Sequence, residues 1–352
     1  MKTVMSGMRP TGKLHLGNYW GALKNWVELQ KSYRCYFMVA DLHMFTTGYE
    51  DVSRLQDNVR EMVLDWLAAG LDPEKCVIFL QSKVPQHAEL ATLLGMITPL
   101  SWLENNPTWK EQLQELAKTK LSRAKEGGEA AVAVADAAKA DESLRTHGFL
   151  GYPVLQAADI LIYGGELVPV GKDQEAHVEL SREIARRFNH LYGATLVEPK
   201  PLFTETPKVP GADGRKMSKS YGNAVDILET PESLKTKVMG MYTDPKKLRA
   251  NDPGHPDAGP DNPPGCTVYA LHKLYSSYWQ KRGDECRAGS IGCVACKKDL
   301  LQSLEGPFGE FRSRRAGFDA KAVERVLEDG SRRAREAAER TMDKVRAAMR
   351  LR

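Results

Sequence analysis

The chain has 352 residues, 42% of them hydrophobic and 27% charged, which describes an ordinary soluble protein long enough for two domains, each with its own core. A net charge of only +4 excludes a bulk polycation, and no apolar run is long enough to span a bilayer. The N-terminus enters a strand-like run rather than a basic and apolar leader, so a cytoplasmic protein with no membrane association is expected.

The first five residues read as a short buried strand, the Gly and Pro residues after it as a tight connection, and Leu16 to Lys31 as an amphipathic helix. Such a βα turn presents free N–H groups and a positive helix end to an anion such as a triphosphate. His15 and Asn18 can donate to phosphate oxygens, and Gly17 lets a flat base or ribose lie against the backbone. Strand-like runs at Cys35–Ala40 and Cys76–Leu80 alternate with helical patterns such as Val52–Ala69, implying a parallel sheet covered by helices. Ligands in such sheets bind beyond the carboxyl ends of the strands, where His15 and Asp41-Leu42-His43 fall.

Gln112 to about Arg145 is charged, alanine-rich and broken by Gly127-Gly128, and reads as a surface insertion. Tyr152–Tyr163 follows as a helix. On it Tyr152, Gln156 and Asp159 share one face, lining up a phenol, an amide and a carboxylate on an otherwise apolar segment. A carboxylate placed there is costly unless it is paired or functional. If Asp159 accepts an indole N–H, an analogue lacking that donor would be rejected by about four to five powers of ten; local capping or ion pairing is the alternative. Leu167–Val170 reads as a short strand and Gln174–Phe188 as a helix.

In Pro210–Asn223 three glycines bracket a cluster of cations and hydroxyls, Lys216-Met217-Ser218-Lys219-Ser220, a mobile loop able to close over polyphosphate. Singly, this segment reads as a solvated loop and His15-Leu16-Gly17-Asn18 as a capped turn. Their co-occurrence, in this order, points to ATP attacked at its α-phosphate. From about Ala224 helices dominate, interrupted by the Pro/Gly-rich stretch 251–265, and the composition shift places a boundary between residues 1–223 and 224–352. Arginines and lysines outnumber acidic residues from Arg312 onward, which suits either a phosphate backbone or a helix laced with Glu–Arg pairs.

Four of six cysteines crowd together as Cys266-x19-Cys286-x6-Cys293-x2-Cys296. In a reducing compartment that spacing argues for metal, zinc or a 4Fe-4S cluster, rather than disulfides. Cys35 and Cys76, inside apolar runs, read as buried core.

The two loop segments resemble the HIGH-like and KMSKS signatures of class I aminoacyl-tRNA synthetases, and the chain resembles the bacterial tryptophanyl-tRNA synthetases from Met1 to about Pro107 and again from about Gly148 onward. The resemblance implies an α/β fold, a Rossmann-like parallel-sheet catalytic domain followed by an all-helical anticodon-binding domain. It also implies a homodimer acting on L-tryptophan, ATP and tRNA(Trp) with Mg²⁺. His15, Asn18, Lys216 and Lys219 would be catalytic. Arg9, Pro10, Thr11, Gly17, Gly171, Lys172, Asp173, Gln174, Met217, Ser218 and Ser220 would complete the ATP site, with Gly171 against adenine and Asp173 and Gln174 at the ribose.

Tryptophan would lie among Met5, His43, Tyr152, Gln156, Asp159, Val168 and Val170, with Tyr152 and Gln156 on its α-amino group. Ser290–Lys298 resembles the subset of these enzymes that carries a 4Fe-4S cluster, which would brace anticodon-reading helices beside Lys297 and Lys298; the first cysteine gap here is shorter. His15 and Arg9 stand where several relatives have threonine and glutamine, and Gln112 where they tend to have a second lysine. Tyrosyl-tRNA synthetases share the Tyr-x-x-x-Gln-x-x-Asp pattern, but Val168–His177 favours tryptophan. A tyrosine-specific enzyme and a non-catalytic RNA-binding iron-sulfur paralogue are the alternatives; a nucleotidyltransferase acting on a small substrate fits poorly.

Overall fold

A computed structural model describes residues 1–106, 109, 146–203, 209–260 and 262–351. The expected insertion and Gln112 lie outside the described residues, as do the side chains of Asp173 and Ser220.

Five strands, β1 (Thr3–Met8), β2 (Arg34–Val39), β3 (Cys76–Leu80), β4 (Leu167–Val170) and β5 (Lys200–Phe203), form one parallel sheet in the order β3-β2-β1-β4-β5. Alternate residues face opposite layers, and both layers are apolar, as a parallel sheet requires. Val4, Phe37 and Ile78 join one core; Met5, Met38 and Phe79 join the other. Trp26 stacks on Phe37 at 4.8 Å and meets Trp66 edge-on at 5.2 Å, anchoring the first layer. The strand order reverses between β1 and β4, so a crevice opens beyond their carboxyl ends.

The expected helix from Leu16 to Lys31 is interrupted. A short α1 (Leu16–Asn18) passes into a π-helical segment, Tyr19–Leu23, before α2 (Lys24–Leu29). The wider turn carries Trp20 outward, where its Nε1 donates to the Tyr275 hydroxyl at 2.8 Å, and sets Tyr19 against Phe311. The sheet is covered by α3 (Leu55–Ala69), α4 (Gln86–Ile97), α5 (Leu100–Glu104), α6 (His147–Leu161) and α7 (Glu175–Tyr192). Beyond residue 224 the described elements are helices: α8 (Pro231–Gly240), α9 (Thr267–Tyr275), α10 (Trp279–Arg287), α11 (Cys293–Ala316) and α12 (Ala320–Ala348).

The two halves do not keep separate cores. Leu300, Leu304, Phe308 and Phe311 of α11 belong to the same buried cluster as Val4 and Phe37 of the sheet. Helix α12 returns to cover the β3 edge. Gly330 lies so close to the Ile78 backbone that a Cβ has no room, and Ser331 Oγ accepts the Leu80 N–H at 3.3 Å. Of the two readings left open for the C-terminal basic residues, a phosphate-facing surface or a helix held by pairing, several of them follow the second and fasten this helix. Arg333 and Arg335 donate to the carbonyls of Pro73 and Lys83, and Arg346 forms a two-pronged pair with Glu89 at 2.7 and 2.8 Å.

Candidate active site

The βα turn after β1 is built by local hydrogen bonds. His15 caps α1: its Nδ1 accepts the Asn18 N–H at 3.3 Å, while Asn18 Oδ1 accepts the His15 N–H at 3.2 Å. The capped-turn reading and the ligand reading are therefore compatible. With Nδ1 occupied as an acceptor, a neutral imidazole carries its proton on Nε2. Burial, helped by the charge of Lys219, lowers the His15 pKa to about 4, so the neutral donor is the form present near pH 7.

The KMSKS loop is held by Asn223, which is 4% exposed. Its side chain donates to Asp213 Oδ1 at 2.7 Å and to the Lys216 carbonyl at 3.1 Å, and accepts the Ser218 N–H at 2.8 Å. Gly211 packs so tightly on this amide that a Cβ would collide with it. His15, Gly17, Asn18, Gly171, Lys172, Lys216 and Met217 line one cavity of about 1160 Å³, together with Tyr269 and Lys273 of α9. Lys219 is not among the lining residues; its Nζ donates to the Thr11 carbonyl at 2.9 Å. Pro10, Thr11 and Ser218 are likewise outside the lining, while Arg9 and Gln174 face a second cavity.

That second cavity, about 460 Å³, opens between the carboxyl ends of β1 and β4. Met5, His43, Tyr152, Gln156, Asp159, Val168 and Val170 all line it, and Gly171 borders both cavities. The 3.6-residue spacing places Tyr152, Gln156 and Asp159 on the inward face of α6. Tyr152 Oη pairs with His177 Nε2 at 3.2 Å, and His177 Nδ1 with Asn106 at 3.1 Å.

Asp159 is 2% exposed and sits in a network that sequence patterns did not predict. Gln81 Nε2 donates to both carboxylate oxygens at 2.8 and 3.0 Å, His87 Nδ1 to Oδ1 at 2.6 Å, and His43 Nε2 to Oδ2 at 2.8 Å. Behind it, His87 Nε2 pairs with the Tyr163 hydroxyl at 2.7 Å. Burial pushes the Asp159 pKa up, but the hydrogen bonds from His43 and His87 outweigh it and hold the carboxyl at about 2. Gln81 immediately follows β3, so the rule that ligands gather at strand carboxyl ends was the one available signal for it. His87 stands on α4 and had none.

Cys266, Cys286, Cys293 and Cys296 line one small cavity together with Lys247 and Arg282, and none forms a disulfide. Burial pushes the thiols of Cys266 and Cys296 up to about 11 and about 12. Among the described residues, no three His, Cys, Asp or Glu side chains are gathered tightly enough to hold a single metal ion. Lys297, expected beside an RNA-reading surface, is 9% exposed and donates to the Met239 and Met241 carbonyls at 2.8 and 2.7 Å, closing the end of α8. Cys35 and Cys76 are buried in the sheet as expected. Among the described residues no helix is long and apolar enough to cross a membrane.

Comparison with known proteins places this geometry in a family. Residues 1–308 match the family model of tRNA synthetases class I (W and Y). The chain is 47% identical to the tryptophan–tRNA ligase of Aquifex aeolicus and 46% identical to that of Thermotoga maritima, each match covering 99% of both chains. It superposes on the crystal structure of Campylobacter jejuni tryptophanyl-tRNA synthetase complexed with ADP and tryptophan, with a TM-score of 0.80, 30% identity and full coverage of both chains. Two adjoining cavities on a class I sheet, joined to end-to-end similarity of this order, make the chain a member of the class I tRNA synthetases, among the tryptophan–tRNA ligases.

Proposed function

We infer that the two cavities divide the tryptophan–tRNA ligase reaction between them: the cavity around Asp159 takes L-tryptophan, and the one between His15 and Lys216 takes ATP. The supporting observation is that seven side chains from β1, α6, β4 and the segment after β2 converge on one cavity that shares Gly171 with the other. The indole lies against Met5, Val168 and Val170 with its N–H on Asp159; Tyr152 and Gln156 hold the α-amino group. The tryptophan carboxylate then faces the α-phosphorus of ATP.

Attack in line forms the carboxyl–phosphate bond and breaks the bond to the β-phosphate, giving tryptophanyl-adenylate and pyrophosphate. No protein nucleophile is needed, so the chain contributes positioning and charge stabilisation. His15 donates its Nε2–H to a phosphate oxygen, Asn18 adds an amide donor, and Lys216 and Lys219 offset developing charge when the loop closes. By the family pattern Thr11, Ser218 and Ser220 would join the polyphosphate contacts around Pro10 and Met217 once the loop closes, and Lys172 and Asp173 those of the nucleoside, while Arg9 and Gln174, which line the tryptophan cavity, would reach ATP where the two cavities meet. Mg²⁺ bound with ATP would supply further positive charge to the phosphates. A ribose hydroxyl of the terminal adenosine of tRNA(Trp) next attacks the acyl carbon and releases AMP. We assign the enzyme to the cytoplasm and to a homodimer in which each tRNA bridges two subunits.

Amino-acid-dependent exchange of pyrophosphate into ATP tests this reading. Exchange with tryptophan and not with tyrosine supports it; exchange with tyrosine moves the chain to the sister enzymes, and none with either favours the non-catalytic paralogue.

By the resemblance of Ser290–Lys298, Cys266, Cys286, Cys293 and Cys296, which line one cavity, would hold a 4Fe-4S cluster, with zinc the alternative. Bound there, the cluster would brace α9, α10 and α11 and need have no redox task. Cys293→Ser should abolish the brown absorbance of protein reconstituted anaerobically and weaken tRNA charging more than adenylate formation. A colourless wild-type protein after the same treatment would point to zinc or to no metal.

A further inference from the structure

His15 sits in a short extended segment whose backbone is tied down on both sides. The Leu14 N–H donates to Asp65 Oδ2 at 3.1 Å, the Leu14 carbonyl accepts the Ile227 N–H at 3.1 Å, and the Leu16 N–H donates to the Val225 carbonyl at 2.9 Å. His15 itself makes an antiparallel bridge with Asp226. The phosphate-binding turn thus has two anchors, Asp65 on α3 and the segment 225–227.

Both anchors are gripped by the last turns of α11. Arg315 donates through Nε to Asp65 Oδ1 at 2.8 Å and through Nη2 to Glu61 Oε2 at 2.7 Å. Arg312, one helical turn earlier, donates to the Glu229 carbonyl at 2.7 Å, and Glu229 Oε1 accepts the Asp226 N–H at 3.2 Å. The Asp65 side chain has no exposed surface, and its oxygens are divided between a backbone donor beside His15 and the guanidinium. Nothing in the signature motifs includes these residues.

We propose that Asp65 and Arg315 are positioning residues for adenylate formation: Arg315 fixes the Asp65 carboxylate, and the carboxylate fixes the Leu14 N–H, so that the His15 imidazole stands where the phosphates of ATP need it. A planar guanidinium suits the task because its two donors bind two carboxylates of α3 at once, which a lysine cannot do in the same geometry. The helix that carries Cys293 and Cys296 at its start thus holds the ATP turn at its end. The inference rests on the assignment of His15 to ATP.

The test is pyrophosphate exchange with Arg315→Met, Arg315→Lys, Asp65→Asn and the Arg315→Met/Asp65→Asn double variant, with tryptophan affinity measured separately by equilibrium dialysis. Arg315→Met and Asp65→Asn should each lower kcat/KM for ATP about tenfold or more, because small displacements of a positioned donor are costly. Tryptophan affinity should stay within about twofold, and the double variant should lose little beyond either single change. Arg315→Lys, which keeps the charge and should fold even if Arg315→Met does not, should recover part of the loss.

A fall in melting temperature and in the titre of active sites, with the KM for ATP and the turnover per active site unchanged, would make the pair structural only and overturn the proposal. His15→Ala is run alongside. If it leaves the KM and turnover for ATP untouched, the ATP assignment itself fails; if it impairs them while the Arg315 and Asp65 variants do not, only the positioning role fails.

Discussion

Lys219→Ala should lower tryptophan-dependent pyrophosphate exchange by about two to three powers of ten, the range seen when one donor to a charged transition state is removed, while tryptophan affinity changes less than about twofold. Lys219 Nζ rests on the neutral Thr11 carbonyl, next to the turn that carries His15. Burial lowers its pKa, while the charges of Asp226 and Asp65 act in the opposite direction. A triphosphate would be a better acceptor than one carbonyl, since charge-assisted hydrogen bonds are about twice as strong as neutral ones. On the proposed assignment the contact is a resting position from which the ammonium would move to ATP. Its loss should appear in the chemical step more than in the filling of the tryptophan cavity, whose lining excludes it. Single-turnover adenylate formation measured beside tryptophan binding separates the two, and near-normal turnover in the variant would sink the assignment.

The sheet was legible because parallel strands buried on both faces leave short continuous apolar runs, as in Cys35-Tyr36-Phe37-Met38-Val39 and Cys76–Leu80. The alternation of strands and helices implied a parallel sheet with its site at the strand carboxyl ends, but not the order β3-β2-β1-β4-β5 that opens the crevice. The face of α6 was legible for a similar reason: Tyr152, Gln156 and Asp159 obey one helical period. Hydrophobic periodicity was blind to the π segment at Tyr19–Leu23, because one additional residue in a turn shifts the stripe without erasing it.

Non-local pairing escaped altogether. Gln81 and His87 reach Asp159 across 78 and 72 residues of chain, and Arg315 reaches Asp65 across 250. No local rule connects such residues. The C-terminal arginines show the same limit, since composition records their charge while only the fold reveals that Arg333, Arg335 and Arg346 face carbonyls and carboxylates of the catalytic layer.

The largest effect on specificity is expected from Asp159→Asn. The ionised carboxylate can only accept, and it receives donors from Gln81, His87 and His43. An asparagine keeps one acceptor oxygen and turns the other position into a donor, so at least one N–H must face another N–H. Hydrogen bonds to a charged group are worth about 1.5–3 kcal/mol each, so tryptophan activation should fall about 10- to 100-fold.

Selectivity separates a reader of the indole from a structural carboxylate. The wild-type enzyme should discriminate strongly against a tryptophan analogue whose indole nitrogen is replaced by sulfur, because the cavity then holds an acceptor without its donor. In the variant that discrimination should collapse toward the smaller loss expected from shape alone. The geometry adds a condition: His43 Nε2 already occupies Oδ2 from the cavity side, with its side chain 12% exposed, so the indole N–H must share that oxygen or displace the imidazole. His43→Ala in the same comparison should preserve discrimination against the sulfur analogue while weakening tryptophan binding through lost packing. Retained discrimination in Asp159→Asn, accompanied only by a lower melting temperature, would reduce the carboxylate to a clasp for Gln81 and His87 and transfer the reading of the indole to another group in the cavity.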